Sequence, residues 1–260
     1  ERRATSQGVK TPGNIDVIHL VLQEAGVRDV LVPPTFPFLH AQRLQELGYR
    51  LRTKRDPFYE NRVVKSDEEV RHIEAAQRAT EQAVAAAHES LRRAEIRDHV
   101  LWLDGEVLTS ERVKKLINVA LMECDCVAQH TIVAGGEQAC DPHDEGSGPL
   151  PAHRSIIFDV FPRSAHSRYF ADMSRTVVRG RPSPELTKLY QTVKDAQEEA
   201  ITKIRDGADG AVIHQGICDR FDKAGYKTGL VNGRMQGYFH GTGHGVGLDI
   251  HEAPRISRTG

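Results

Sequence analysis

Ile156-Ile-Phe-Asp159, Tyr169-Phe-Ala-Asp172-Met-Ser-Arg175-Thr176 and His240-Gly-Thr-Gly-His244-Gly-Val-Gly-Leu-Asp-Ile-His251-Glu252 are the stretches on which the reading of this chain turns. The first two are strand-forming sequence interrupted by aspartate, a residue that strands disfavour. An ionised carboxylate at the end of the apolar run Ile156-Ile-Phe158 is costly to bury unless it is paired or bound to a cation. Taken alone, each aspartate is equally well a strand end or a turn cap. Two such misfits on neighbouring strands point instead to a shared ligand role, because breaches of local preference gather at functional sites.

The third stretch adds imidazoles. His240 and His244 stand four apart, which on a helix gives an adjacent ligand pair. Gly241, Gly243, Gly245 and Gly247 rule against a helix, and the glutamate of an HExxH zinc motif is missing. Glycine at this density suits close backbone approach. Carboxylates favour Mg and Mn, and imidazole extends the range to Zn, Fe and Co. A carboxylate pair can also bridge two cations that activate water for hydrolysis.

Around these stretches lie 260 residues with a formal net charge of -1. That length holds one large core or two smaller ones. The charge balance gives no footprint for nucleic acid or an anionic membrane surface. No apolar run approaches the roughly 20 residues that span a bilayer, and no signal pattern follows Glu1-Arg2-Arg3-Ala4. Cys124, Cys126, Cys140 and Cys218 read as reduced thiols of a cytoplasmic protein rather than a disulfide framework. Cys124 and Cys126 read as buried thiols on a helix.

Along the chain, residues 14–64 alternate in the α/β manner. A helix with Ile15, Val17, Ile18, Leu20, Val21 and Leu22 is closed by Gly26, and Val30-Leu-Val32 is a strand. A second helix, Phe38 to Leu47, stops at Gly48, and Tyr49-Arg-Leu51 follows as a strand. Asp56-Pro57 breaks the pattern. Ser66 and Glu69 form a capping box opening a long helix to about Arg93. Val113, Leu116, Ile117, Ala120 and Leu121 mark a helix from about Ser110 to Cys126. Thr131-Ile-Val133, Ile156–Val160 and Tyr169–Val178 are strands. Gly135-Gly136 is a turn and 141–151 a loop. Pro182–Pro184 opens a helix to about Ile204, and another spans roughly Ala211–Ala224.

Jointly these motifs resemble the pita-bread metallopeptidases, the family of methionine aminopeptidase, Xaa-Pro aminopeptidase, prolidase and creatinase. The matching residues are Thr131-Ile-Val133, Pro142-His143, Phe158-Asp159, Asp172-Met-Ser-Arg175-Thr176-Val177 and the run from His240 to Glu252. The Asp-x-Ser-Arg-Thr form and the preceding α/β sequence resemble the Xaa-Pro aminopeptidase and prolidase branch. The resemblance implies an α+β fold: a pita-bread catalytic domain over 63–260, preceded in 1–62 by the tail of a creatinase-type N-terminal domain. It implies two divalent metal ions (Mn, Co or Zn), with Asp159 chelating one, Asp172 bridging both and His244 holding the other. His143, His240 and His251 are implied as catalytic and substrate-binding residues of the pocket. The implied substrate is a peptide hydrolysed at its N-terminal bond, and the branch is often homodimeric.

Two departures qualify the resemblance. The connection between Asp159 and Asp172 is two residues longer than the family pattern, an even insertion that preserves strand-face parity. The family site also uses two glutamates beyond the glycine-rich stretch, whereas this sequence stops at Arg258-Thr-Gly260 and opens without Met. The expectation is therefore a piece of a longer protein, clipped at both ends, with its last strands missing. Glu252 stands at the wrong place in the motif to fill the gap. Two rival readings stay open: a creatinase-like C–N hydrolase working without metal, and a pita-bread module kept for binding or chaperone duty.

Overall fold

The computed structural model describes residues 13–55 and 57–259. The opening Glu1-Arg2-Arg3-Ala4, and Asp56 of the Asp56-Pro57 break, lie outside the described residues. The chain divides into two compact units, one ending at Arg62 and one beginning at Val63.

In the first unit, α1 (Asn14–Glu24), β1 (Asp29–Val32), α2 (Phe38–Glu46) and β2 (Arg50–Thr53) follow one another. β1 and β2 pair in parallel, with Val30 opposite Leu51, which makes β1-α2-β2 one crossover unit. Gly26 and Gly48 each take positive φ just past a helix, the left-handed stop that costs glycine no Cβ strain. Leu20, Val32, Leu44 and Tyr49 are its buried side chains.

The second unit opens with α3 (Asp67–Arg93), whose capping box is formed: Glu69 N–H donates to Ser66 Oγ at 3.3 Å and Ser66 N–H to Glu69 Oε2 at 2.8 Å. Acidic residues fill its first turn and Arg92 and Arg93 its last, both favourable to the helix dipole. Its buried face is almost all small (Ala76, Ala79, Ala83, Ala87), so the helix lies close to its neighbours. Buried Thr80 and Ser90 satisfy their hydroxyls on the helix's own carbonyls.

A three-stranded meander follows: β3 (Glu95–Arg97), β4 (Val100–Leu103) and β5 (Glu106–Val107). Next comes α4 (Ser110–Glu123), capped by Thr109 and burying Val113, Ile117 and Leu121 against α3. The helix stops short of the sequence expectation. Cys124 is its C-cap, Asp125 turns to φ 53°, and Cys126 already begins β6 (Cys126–Val127). Aspartate tolerates this left-handed turn, so Cys124 and Cys126 are not two thiols of one helix.

The sheet that matters most has the order β10-β8-β7, with β7 (Ile132–Gly135) and β8 (Ile156–Val160) antiparallel and β9 (Arg163–Ser164) leading to β10 (Met173–Val177). β8 alternates strictly: Ile156, Phe158 and Val160 are buried in the core with α3 and α4, and Ile157 and Asp159 point to the other face. The connection from β8 to β10 is more than a turn, because β9 leaves to pair with β6. Asp172 consequently precedes the strand and does not sit inside it.

A second core gathers where α5 (Pro184–Lys203) meets α6 (Gly210–Lys223): Ala196, Ala200, Ile213, Ile217 and Phe221, with Tyr226, Tyr238 and Ile256 packed on. The hairpin β11 (Gly229–Val231) and β12 (Arg234–Gln236) leads to the ribbon of β13 (Gly243–Gly245) and β14 (Glu252–Ile256). A Cβ on Gly210 would strike the Arg255 carbonyl, so α6 can lie directly on β14 only because that position is glycine. Among the described residues no helix is long and apolar enough to cross a membrane.

Candidate metal centre

Strand register places the first carboxylate. Asp159 on β8 is the cross-strand partner of Ser174 on β10, and partners share a face. Asp172 lies just before β10, near enough for its charge to act on Asp159. Ser174 Oγ–H donates to Asp159 Oδ1 at 2.7 Å. Burial pushes the Asp159 carboxyl up from its ordinary value, with the nearby Asp172 charge adding to this and the Ser174 hydrogen bond and His244 opposing it.

The imidazole arrives from the distant ribbon. His244 Nε2 lies 3.3 Å from Asp172 Oδ2, both side chains about a quarter exposed. His244 Nδ1 is 3.0 Å from the Gly245 carbonyl. A carbonyl only accepts, so Nδ1 carries a hydrogen, and Nε2 is the nitrogen that meets the carboxylate, through a proton or another cation. A lone pair facing an anion needs a cation between them. Without a metal that cation is a proton, and the hydrogen bond to Asp172 accordingly raises the His244 pKa. The backbone bond on the other ring nitrogen is the orienting contact that metal-bound histidines habitually have. The donor chemistry thus fits a divalent cation at Asp172 and His244.

His251 packs its ring edge-on to His244, 4.3 Å between centroids. Burial lowers its pKa, helped by the neighbouring charges of His244, Arg255 and His143. His143 is exposed on the loop after the 3₁₀ turn Gly136–Cys140, its backbone N–H held by Asp141 Oδ1 at 2.9 Å. His240 goes elsewhere. It donates from Nδ1 to the Gly241 carbonyl at 2.8 Å, and its ring contacts are with Tyr238 at 4.7 Å and Phe239 at 6.1 Å.

The structure therefore brings Asp159, Asp172, His244 and His251 together, with His143 in electrostatic reach. Among the described residues no group of three or more His, Cys, Asp and Glu side chains closes on one point in the manner of a complete metal site. Sequence reasoning missed Ser174, whose place opposite Asp159 depends on the register of β10 against β8. The glycines also have a more local purpose than approach to a ligand: a Cβ on Gly245 would strike the Ala253 carbonyl, and one on Gly247 the Glu252 carboxylate. Glu252 itself forms an ion pair with Lys65.

Fold and donors together define a peptidase-like α+β chain. Residues 71–260 match metallopeptidase family M24, and the chain belongs to that family. Among curated relatives, the Xaa-Pro dipeptidase of Pyrococcus furiosus is 27% identical over 198 residues, covering 76% of this chain and 51% of the relative. The Xaa-Pro dipeptidase of Pyrococcus horikoshii is 25% identical over 236 residues, covering 90% of this chain and 61% of the relative. The chain thus spans about half to three-fifths of the length of these relatives. In solved structures, prolidase from P. furiosus superposes with a TM-score of 0.76 at 24% identity, over 95% of this chain and 67% of that one. A dipeptidase from P. horikoshii gives 0.74 at 27% identity, over 96% and 65%. The α+β fold and the prolidase branch read from the motifs agree with these likenesses.

Proposed function

We propose that this chain carries the catalytic part of a metal-dependent peptidase of Xaa-Pro type, removing one N-terminal residue from a peptide. The observation that carries this reading is the 3.3 Å approach of His244 Nε2 to Asp172 Oδ2, with Asp159 near enough to feel both charges. Asp159, Asp172 and His244 would hold two divalent ions (Mn, Co or Zn), Asp172 being the residue shared between them. Such ions, when bound, lower the pKa of a water toward neutrality and polarise a carbonyl oxygen. Around them, Ser174 fixes the Asp159 carboxylate and the Gly245 carbonyl fixes the His244 ring. His251, beside His244, donates a hydrogen bond to the oxyanion that develops on the scissile carbonyl. His143 would line the approach for substrate, whereas His240, packed against Tyr238 and Phe239, is given no part in it. The first unit is read as the end of a creatinase-type N-terminal domain, the protein as cytoplasmic, and a second copy of the chain as its partner.

The test is Asp172→Ala in the full chain, with Mn content after dialysis and hydrolysis of an Xaa-Pro dipeptide as readouts. Both should vanish; unchanged hydrolysis rules out the shared-ligand assignment. A non-catalytic binding module is the second reading, favoured by the absence of a closed three-donor group among the described residues. Such a module would retain no stoichiometric Mn, Co or Zn after dialysis.

A further inference from the structure

We infer that the ion pair between Lys65 and Glu252 is a positioning device that sets where His251 stands, an inference that rests on the metal-centre reading above. Lys65 Nζ lies 2.7 Å from Glu252 Oε1, with the two side chains only 13% and 10% exposed. Enclosing two opposite charges costs several kcal/mol per ion in desolvation, and apolar replacements of such pairs are often neutral or stabilising. Stability alone is thus a weak reason for this pair to exist. Its location supplies a better one.

Glu252 follows His251 directly and begins β14, opposite Gly245. Its carboxylate occupies the space a Cβ on Gly247 would take, so the segment between the two ribbon strands folds back over it. Lys65 immediately precedes the Ser66 cap of α3. In that capping box Glu69 also receives the Tyr169 hydroxyl, at 2.7 Å. The next residue, Phe170, donates its N–H to the Gly247 carbonyl at 2.8 Å. Three stretches distant in sequence are therefore laced together: 65–69, 169–172 and 245–252. The last two carry Asp172 and His251, and 245–252 continues from His244. The ammonium of Lys65 is the anchor that holds the C-terminal end of the ribbon's return loop.

The experiment compares Lys65→Met, Glu252→Gln and the double variant of the full chain. The His251 ring 13C–1H signal, assigned by its loss in His251→Gln, is followed alongside thermal stability, retained Mn and Xaa-Pro hydrolysis. Lys65→Met leaves a carboxylate enclosed without its ammonium and lowers stability. The double variant recovers stability, yet its His251 signal stays displaced and kcat stays at least tenfold down with KM within twofold. A purely structural pair gives the opposite result: stability, His251 signal and turnover all return together, which overturns the proposal. Where Lys65→Met does not fold, Glu252→Gln decides, since a wild-type His251 signal in that variant also overturns it. Glu89→Gln, which breaks an exposed pair with Arg92 on α3, should move no readout. If the wild-type chain hydrolyses no Xaa-Pro peptide, the functional reading falls while the His251 signal still decides the positioning role.

Discussion

Replacing Asp159 by Asn separates the two demands placed on that residue. The Asp159 carboxyl is held above its ordinary value chiefly by burial. A group raised in this way contributes stability that is full below the ordinary carboxylate range and is lost as pH rises through its folded value. At pH 7, without metal, the ionised carboxylate is therefore a liability that Asn removes, while its amide oxygen can still accept from Ser174. Metal-free Asp159→Asn should melt at or above the wild-type temperature at pH 7, with the advantage shrinking as pH is lowered toward about 4. With metal the order reverses. A cation at 100 times its Kd stabilises the folded state by about 2.7 kcal/mol. For a unit of this size, each kcal/mol shifts the midpoint by about 2–4 °C, so wild type should gain roughly 5–11 °C. The variant should gain little. Thermal melts in chelator and in Mn, at two pH values, supply the four curves needed. An undiminished Mn shift in Asp159→Asn, or a lower metal-free midpoint than wild type at pH 7, refutes the reasoning.

Ser174→Ala removes the hydroxyl that orients Asp159, and Mn affinity measured by calorimetry should fall about 10–100-fold with the fold intact. Phe158 is fully buried at the centre of the main core, so Phe158→Ala should cost about 3–5 kcal/mol in denaturant titration. His214 on α6 is buried, its Nδ1 2.9 Å from Thr242 Oγ1, and burial lowers its pKa from 6.5. The unfolded chain therefore binds that proton more readily, and stability should fall as pH drops below about 6.5. In His214→Gln that component of the pH slope should disappear.

What sequence reveals here depends on whether the cause is local. The α3 helix announces itself through Ser66, Glu69 and an alanine stripe at helical spacing, all within the element. β8 announces itself as the apolar run Ile156-Ile-Phe158 closed by Asp159. The convergence of Asp172 with His244 was legible only through the joint motif, because no local rule brings a β-ribbon onto a sheet face. β9 was illegible: two residues, Arg163 and Ser164, carry no pattern, and their pairing with β6 is decided by packing. The same two residues explain why Asp172 stands before its strand. Cys126 was misplaced because helical periodicity ran past the left-handed turn at Asp125, which one aspartate does not advertise. Lys65 and Glu252 gave no joint signal, since charge pairing across folded segments leaves no spacing to read. The motif set Glu252 apart from the expected ligands, but its partner could not be named.

β10 is an end strand of its sheet, and among the described residues no further strand pairs with its outer side. Open backbone of that kind invites another extended chain to dock, including a copy of the same one. Three consecutive residues there, Ser174, Arg175 and Thr176, are polar or charged and exposed. They leave a would-be fibril without an apolar surface to bury. Ser174 and Thr176 stand on the face of Asp159 and Arg175 on the opposite one, so each face of this edge carries a polar side chain that an apolar cross-β stack would have to strip of water.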